Sequence, residues 1–214
     1  MNTPTLASLG AGFSNEAFGS QAVFRAVLQA LSHPGRPVAV AHDAQTPTAG
    51  DAASAAALLA LLDSDCTLWL SPRLAASGAA AWLRFHTGCT LVSNPGDARF
   101  VWVGEGDALP PLSSLAQGTD IYPDQSATCV MDVARLDDAS DHAEAWRLTG
   151  PGIQHHATLN VAGLPDDFEH QWAVNHGVFP CGVDVLLGTP THIVGLPRTT
   201  CISTHTAALH GAEV

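Results

Sequence analysis

Lysine is missing from the 214-residue chain, and all eight cationic side chains are arginines: Arg25, Arg36, Arg73, Arg84, Arg99, Arg135, Arg147 and Arg198. Without an ε-amine, neither a pyridoxal Schiff base nor the imine of a Schiff-base aldolase can be built. The phosphate loop ending in Gly-Lys-Ser/Thr is excluded with it. Charge of any sign is scarce, at 13% of residues, roughly half the usual share. So sparsely charged a surface suits a protein covered by a partner or a symmetry mate. The charge that exists is acidic, 20 residues against 8, for a net charge of -12. Nucleic-acid binders and proteins that dock on anionic lipid need the opposite balance, so neither partner is expected.

Other signatures are lacking too. The five cysteines, Cys66, Cys89, Cys129, Cys181 and Cys201, occur singly, with no Cys-x-x-Cys knuckle. An odd number without short pairing fits a reducing compartment better than a disulfide scaffold. Residues Met1 to Ala11 carry no positive charge and no continuous apolar run, so no signal peptide is expected. The longest apolar stretch, Ala52 to Leu62, is too short to span a bilayer. Cytoplasmic residence is the resulting expectation. No His-Glu-x-x-His, dinucleotide fingerprint or nucleophile elbow occurs.

What is present is a mixture of helical and strand patterns. Val23, Phe24, Val27, Leu28 and Leu31 recur three and four apart and predict a helix over Asn15 to Leu31 with these residues as its apolar stripe. Pro34 and Gly35 stop it. A short strand follows at Val38 to Ala41, then Asp51 as a cap for the alanine-rich helix Ala52 to Leu62. Strands are expected at Thr67 to Leu70, Thr90 to Val92, Arg99 to Val103, Ala127 to Val133 and Ala145 to Thr149, with an extended piece near Ile153. Helices are expected at Ala79 to His86 and from Asp166 or Asp167 to His176, and one helical turn around Leu112 to Gln117. Val183 to Leu187 and His192 to Leu196 flank Gly188-Thr189-Pro190-Thr191 as a hairpin. The economical reading is one α/β domain over residues 15–206, a mixed sheet flanked by helices, with a flexible lead-in at 1–14 and a frayed tail at 207–214.

Three groups of residues carry possible chemistry. His155, His156, His170 and His176, with Asp166, Asp167 and Glu169 among them, form the densest histidine region and admit a zinc hydrolase. Adjacent histidines in a strand face opposite ways, so only one of His155 and His156 would join such a site. Polar surface histidines are the plainer reading, and no metal site is assigned. Arg84 and His86 lie at a helix end, and Arg198, Thr199 and Thr200 follow a rigid turn. Both segments suit contact with an anion or a partner's carboxylate. Intramolecular capping and ion pairing are the alternatives. Asp184 stands at a strand entrance, and Cys201 has no activating neighbour in sequence, which suits a small buried residue. Pro34, Gly35, Gly150, Gly152 and Gly182 read as structural turns. No nucleophile or general base can be assigned.

Five segments in order resemble the H-subunit family of bacterial carbon–phosphorus lyase. They are Phe24-Arg25 with Leu28 and Ala30-Leu31-Ser32-His33-Pro34-Gly35; Leu83-Arg84-Phe85-His86-Thr87; Leu148-Thr149-Gly150-Pro151-Gly152-Ile153; Phe179-Pro180 with Gly182 and Asp184; and Pro197-Arg198-Thr199-Thr200. They reach from the first helix almost to the end of the chain. Leu31 departs from a more methionine-like position, and Cys201-Ile202-Ser203-Thr204 departs from a His-Val-Glu type of ending.

The resemblance implies a subunit that works with the G, I and L subunits and forms a core with G, I and J. In that system phosphonate displaces adenine from MgATP, leaving a ribose 1-phosphonate 5-triphosphate. It further implies a reduced pyridoxal-phosphate transferase-like fold that binds no cofactor, and a homodimer when isolated. Because the chain is so poor in cations, any nucleotide site it borders is expected to be completed by a partner. A purely structural scaffold and a metal-dependent hydrolase around His155 or His156 and His170 are the competing expectations.

Overall fold

The computed structural model describes residues 9–137 and 145–204. The expected tail at 207–214 lies outside the described residues, as do residues 1–8 of the lead-in. Residues 9–14 are tied down: Gln45 and Ala11 exchange two hydrogen bonds, and the Ser14 hydroxyl donates to Asp43.

Helix α1 (Glu16–Ser32) starts where Asn15 accepts from the Phe18 amide at 3.1 Å. It ends at His33, which precedes Pro34. Its buried face is Val23, Val27 and Ala30, whereas Phe24 and Leu28 are 44% and 51% exposed. The expected stripe is therefore split, and half of it faces outward. Helix α2 (Ala52–Leu61) buries every residue from Ala53 to Leu58, as expected of a helix covered on several sides. Asp51 holds its N-cap position, yet its side chain makes no cap hydrogen bond. Helices α3 (Pro72–Ala75) and α4 (Ala79–Thr87) complete this layer; α4 ends in the left-handed Gly88.

A seven-stranded sheet forms the middle layer. Its strands are β1 (Val38–Ala39), β2 (Thr67–Leu70), β3 (Thr90–Leu91), β4 (Phe100–Val103), β5 (Thr128–Asp132), β9 (Asp184–Gly188) and β10 (His192–Leu196), in the order β1-β10-β9-β5-β4-β2-β3. From β9 to β3 neighbours run parallel, while β1, β10 and β9 pair antiparallel. The hairpin expected near the C-terminus is the β9–β10 pair. Between these strands in sequence lie β6 (Arg135–Asp137), β7 (Trp146–Thr149) and β8 (Ala157–Ala162), which join β11 (Cys201–Thr204) in a second sheet, all antiparallel, of order β11-β7-β8-β6. Strands β6, β8 and β11 and helix α3 were not anticipated. The extended piece expected near Ile153 is a turn, with the strand beginning at Ala157.

Strand alternation deals the core into two layers. Leu68, Trp102, Val130, Leu186 and Ile193 point toward α1, α2 and α4. Val101, Cys129, Met131, Val185 and Leu187 point toward the second sheet and α5 (Phe168–Gly177), whose Phe168 and Trp172 stack beside Trp146. Gly35, Gly150, Gly152 and Gly182 all take positive φ. At Gly152 a Cβ would lie 2.2 Å from the Ser32 carbonyl oxygen, so the turn sits directly on the end of α1.

Helix α1 lies directly on the backbone of β10 at Gly195. A Cβ there would fall 2.6 Å from the Ala30 carbonyl group and 2.7 Å from the Leu31 nitrogen. Backbone cannot yield as a side-chain tip can, so the helix would have to lift. We expect Gly195→Ala to lower the unfolding free energy by ~1–3 kcal/mol, read from the midpoint of chemical denaturation; an unchanged midpoint would contradict this packing.

Candidate functional site

Parallel strands generate a crevice where their order reverses. β2 leads on one side to β3, and the chain then returns to place β4 on the other side of β2. Ligands of open α/β sheets bind outside the carboxyl ends of strands at such a point. A hollow of about 350 Å³ lies there, with Asp51, Arg73, Glu105, Asp107 and Asp132 among its walls. Sequence reasoning assigned none of the five to a site. These walls come from elements far apart in the chain, and only Asp51 drew notice, as a helix cap.

The geometry divides these groups by role. Asp107 is a brace: it accepts from the Ser71 hydroxyl at 2.6 Å and pairs with Arg73 Nε at 2.6 Å. Asp132 ends β5 and is 3% exposed. Its Oδ1 accepts from Trp102 Nε1 and its Oδ2 from the Asp51 amide, each at 3.0 Å. Burial pushes its carboxyl upward, opposed first by Trp102 and then by Ser54 and the Asp51 amide. Asp51 has no such help. Its Oδ2 is buried without a hydrogen-bond partner among the described residues. Burial, then the charges of Asp132 and Glu105, push its carboxyl up to about 7. Both carboxyls are thus shifted upward, and Asp51 holds a proton into the neutral range. Such a pair can give or take a proton but repels an anion.

The residues expected to meet an anion are placed differently. Arg84 is exposed on α4 and forms no ion pair among the described residues. His86 donates through Nε2 to the Gly10 carbonyl at 2.9 Å and packs edge-on against Trp82 and Phe85. Arg198 pairs with Asp184 through Nε and Nη2, donates from Nη1 to the Pro123 and Pro180 carbonyls, and reaches the Ser126 hydroxyl. All five guanidinium N–H groups are thereby used, leaving none for an external anion. Thr199 is half-buried, and Thr200 is fully buried with its hydroxyl unpaired among the described residues. Among the described residues no hydrogen bond joins the α4 pair to the Arg198 group. Asp184 is a turn brace, with its Oδ1 also accepting from the Arg198 amide at 2.8 Å.

The histidine region does not assemble. Among the described residues no three His, Cys, Asp or Glu side chains are grouped to hold a metal ion. His155 and His156 line a hollow with His33 and Arg36. His170 lies on α5 away from that hollow, and His176 is bonded to the Arg198 carbonyl. Cys201, expected to be buried, is exposed and lies 3.2 Å from His176 Nε2. Among the described residues no helix is long and apolar enough to cross a membrane.

This arrangement defines an α/β protein with an acidic crevice, an internally closed arginine network and an apolar outer helix face. Its sequence matches the model of the bacterial phosphonate metabolism protein (PhnH) family over residues 11–203. The alpha-D-ribose 1-methylphosphonate 5-triphosphate synthase subunit PhnH of Rhizobium meliloti (strain 1021) is 36% identical over 188 residues, spanning 88% of this chain and 92% of that protein. A protein of Stutzerimonas stutzeri named "Putative C-P lyase subunit protein HtxG" is 34% identical over 187 residues, 86% of this chain and 85% of its own. The chain belongs to the PhnH family and has a PhnH-like role as a subunit in phosphonate and C-P lyase metabolism.

Two outcomes test the site geometry. Arg198→Met removes five hydrogen bonds and strands Asp184, so stability should fall by ~1–3 kcal/mol; an unaltered denaturation midpoint would refute the closed network. Asp51 binds its proton more tightly in the folded chain than at the unbiased value of 3.8. Its contribution to stability is therefore complete below that pH and disappears as pH rises through about 7. Relative to wild type, Asp51→Asn should gain ~1–2 kcal/mol between about pH 4 and pH 8, less than full linkage because water screens a half-buried carboxyl. A constant difference across that range, followed by thermal unfolding, would count against the assignment.

Proposed function

We propose that this chain is a non-autonomous subunit of the carbon–phosphorus lyase core, required for forming α-D-ribose 1-phosphonate 5-triphosphate from MgATP and phosphonate with release of adenine. Its partners on this reading are the G, I, J and L subunits, and the isolated chain is a homodimer in the cytoplasm. The fold is read as a reduced pyridoxal-phosphate transferase-like fold that binds no cofactor. The observation that carries the reading is the likeness along almost the whole chain to a protein named as a subunit of a ribose methylphosphonate triphosphate synthase.

Electrostatics support a shared rather than a self-contained site. Triphosphate needs cations, supplied by side chains or by Mg²⁺. This chain has eight arginines, and Arg73, Arg135 and Arg198 are held in ion pairs with Asp107, Asp137 and Asp184. The crevice itself is acidic. Exposed Phe18, Phe24 and Leu28 on α1 offer apolar area that a neighbouring chain can cover. Arg84 is one of five exposed arginines without an ion pair among the described residues, with Arg25, Arg36, Arg99 and Arg147, and can meet a substrate oxygen or a partner's carboxylate. A pure scaffold is the second reading, favoured by the internal use of Arg198 and His86.

Co-purification with the neighbouring subunits, followed by an adenine-release assay with this chain present or omitted, tests the proposal. Release should require this chain, while the isolated chain should show no stoichiometric heat on titration with MgATP. Adenine release by the isolated chain would overturn the shared-site reading. Undiminished release without it would leave only the scaffold.

A further inference from the structure

Cys201 stands apart from the other thiols. Cys89 and Cys129 are buried, and burial pushes the Cys129 thiol up to about 12. Burial also raises Cys66, and it raises Cys181 together with the carboxylate of Asp120, 3.7 Å from its sulfur. Cys201 is exposed at the start of β11, where the burial pattern turns Cys201 and Ser203 outward and Ile202 less so. Its sulfur lies 3.2 Å from Nε2 of His176 in the last turn of α5.

The imidazole is oriented by a third group. Its Nδ1 is 2.9 Å from the carbonyl oxygen of Arg198. A carbonyl only accepts, so Nδ1 carries the hydrogen and the neutral ring turns its Nε2 lone pair toward the thiol. Two separate restraints keep this arrangement. Trp172 on α5 donates to the Thr200 carbonyl at 2.8 Å, holding the helix against β11. The Arg198 backbone is held through its own amide and its ion pair to Asp184. A nucleophile beside a base, with the base fixed by a further acceptor, is the arrangement that activates thiols.

We propose that Cys201 and His176 form a reactive thiol–imidazole pair that makes Cys201 a site of S-thiolation by small disulfides. The Cys201 proton passes to His176 Nε2, and the thiolate attacks one sulfur of R–S–S–R. The Cys201 S–S–R bond forms as the R–S–S–R bond breaks, and the departing thiolate recovers the proton from His176. One thiol and one disulfide become a mixed disulfide and a thiol, with no other oxidant required. The adduct stands on the edge strand of the second sheet.

The test is a time course of the full-length protein with dithiodipyridine near neutral pH, each cysteine followed by peptide mass spectrometry. Cys201 should react first, about tenfold or more ahead of Cys66 and Cys181. His176→Gln should slow Cys201 by about tenfold while leaving the Cys181 rate unchanged. Equal rates at Cys201 and Cys181, or an unaltered Cys201 rate in the variant, would overturn the proposal. Should the variant not fold, the wild-type order of reaction decides: Cys201 ahead of Cys66 and Cys181 supports the pair, and Cys201 level with or behind either overturns it.

Discussion

Strand β5 is buried on both faces, and the rest of the molecule is arranged to meet that condition. Cys129, Val130 and Met131 are each covered, and the flanking β4 and β9 are nearly as enclosed. A sheet of this kind needs an apolar layer on each side. Helices α1, α2 and α4 supply one, with the alanines of α2 and the contact at Gly195 letting backbone lie close to backbone. Helix α5 and the second sheet supply the other. Because Asp132 is the last residue of β5, its carboxylate is carried into this interior and has to be met by Trp102 and the Asp51 amide. The proton on Asp51 follows first from its own burial and then from Asp132 beside it. The chemistry of the crevice is thus a consequence of how the sheet is covered.

Periodicity made part of this legible. Thr67 to Leu70 is found with the bounds its apolar run suggests, and Pro34 stops α1 at the residue where helical geometry becomes costly. The strands that escaped notice belong to the second sheet. In β8 only Leu159 of six residues is buried, and β11 begins with a cysteine that faces solvent. Such strands owe their pairing to backbone hydrogen bonds, which leave little imprint on side-chain pattern. On α1 the three- and four-residue spacing was real, but it does not say which side of a wide stripe meets the protein.

The site was less legible for a related reason. Arg198 looks available in sequence because its partners, Asp184, Ser126, Pro123 and Pro180, come from other turns of the chain. Asp51 and Asp132 are 81 positions apart, and nothing local links them. Cys201 and His176 are likewise joined only by the docking of α5 on β11. Residue type and spacing identify which groups have chemistry; topology decides which of them meet. Family likeness identified the family through segments that include the positive-φ turns at Gly35, Gly150, Gly152 and Gly182, but it assigned none of these meetings.

Charge then limits what those meetings can do. A carboxylate pair at the carboxyl ends of parallel strands can exchange a proton with a ligand, but it disfavours phosphate oxygens in the same hollow. Three arginines are neutralised within the fold, each by its own aspartate. The other five, Arg25, Arg36, Arg84, Arg99 and Arg147, are exposed without an ion pair among the described residues, and no lysine adds to them. On the proposed reading, cations from Mg²⁺ or another chain would complete a polyphosphate site that these scattered arginines do not build. The apolar side chains left outward on α1 are the complementary feature, since covering them is favourable and brings such a chain within reach.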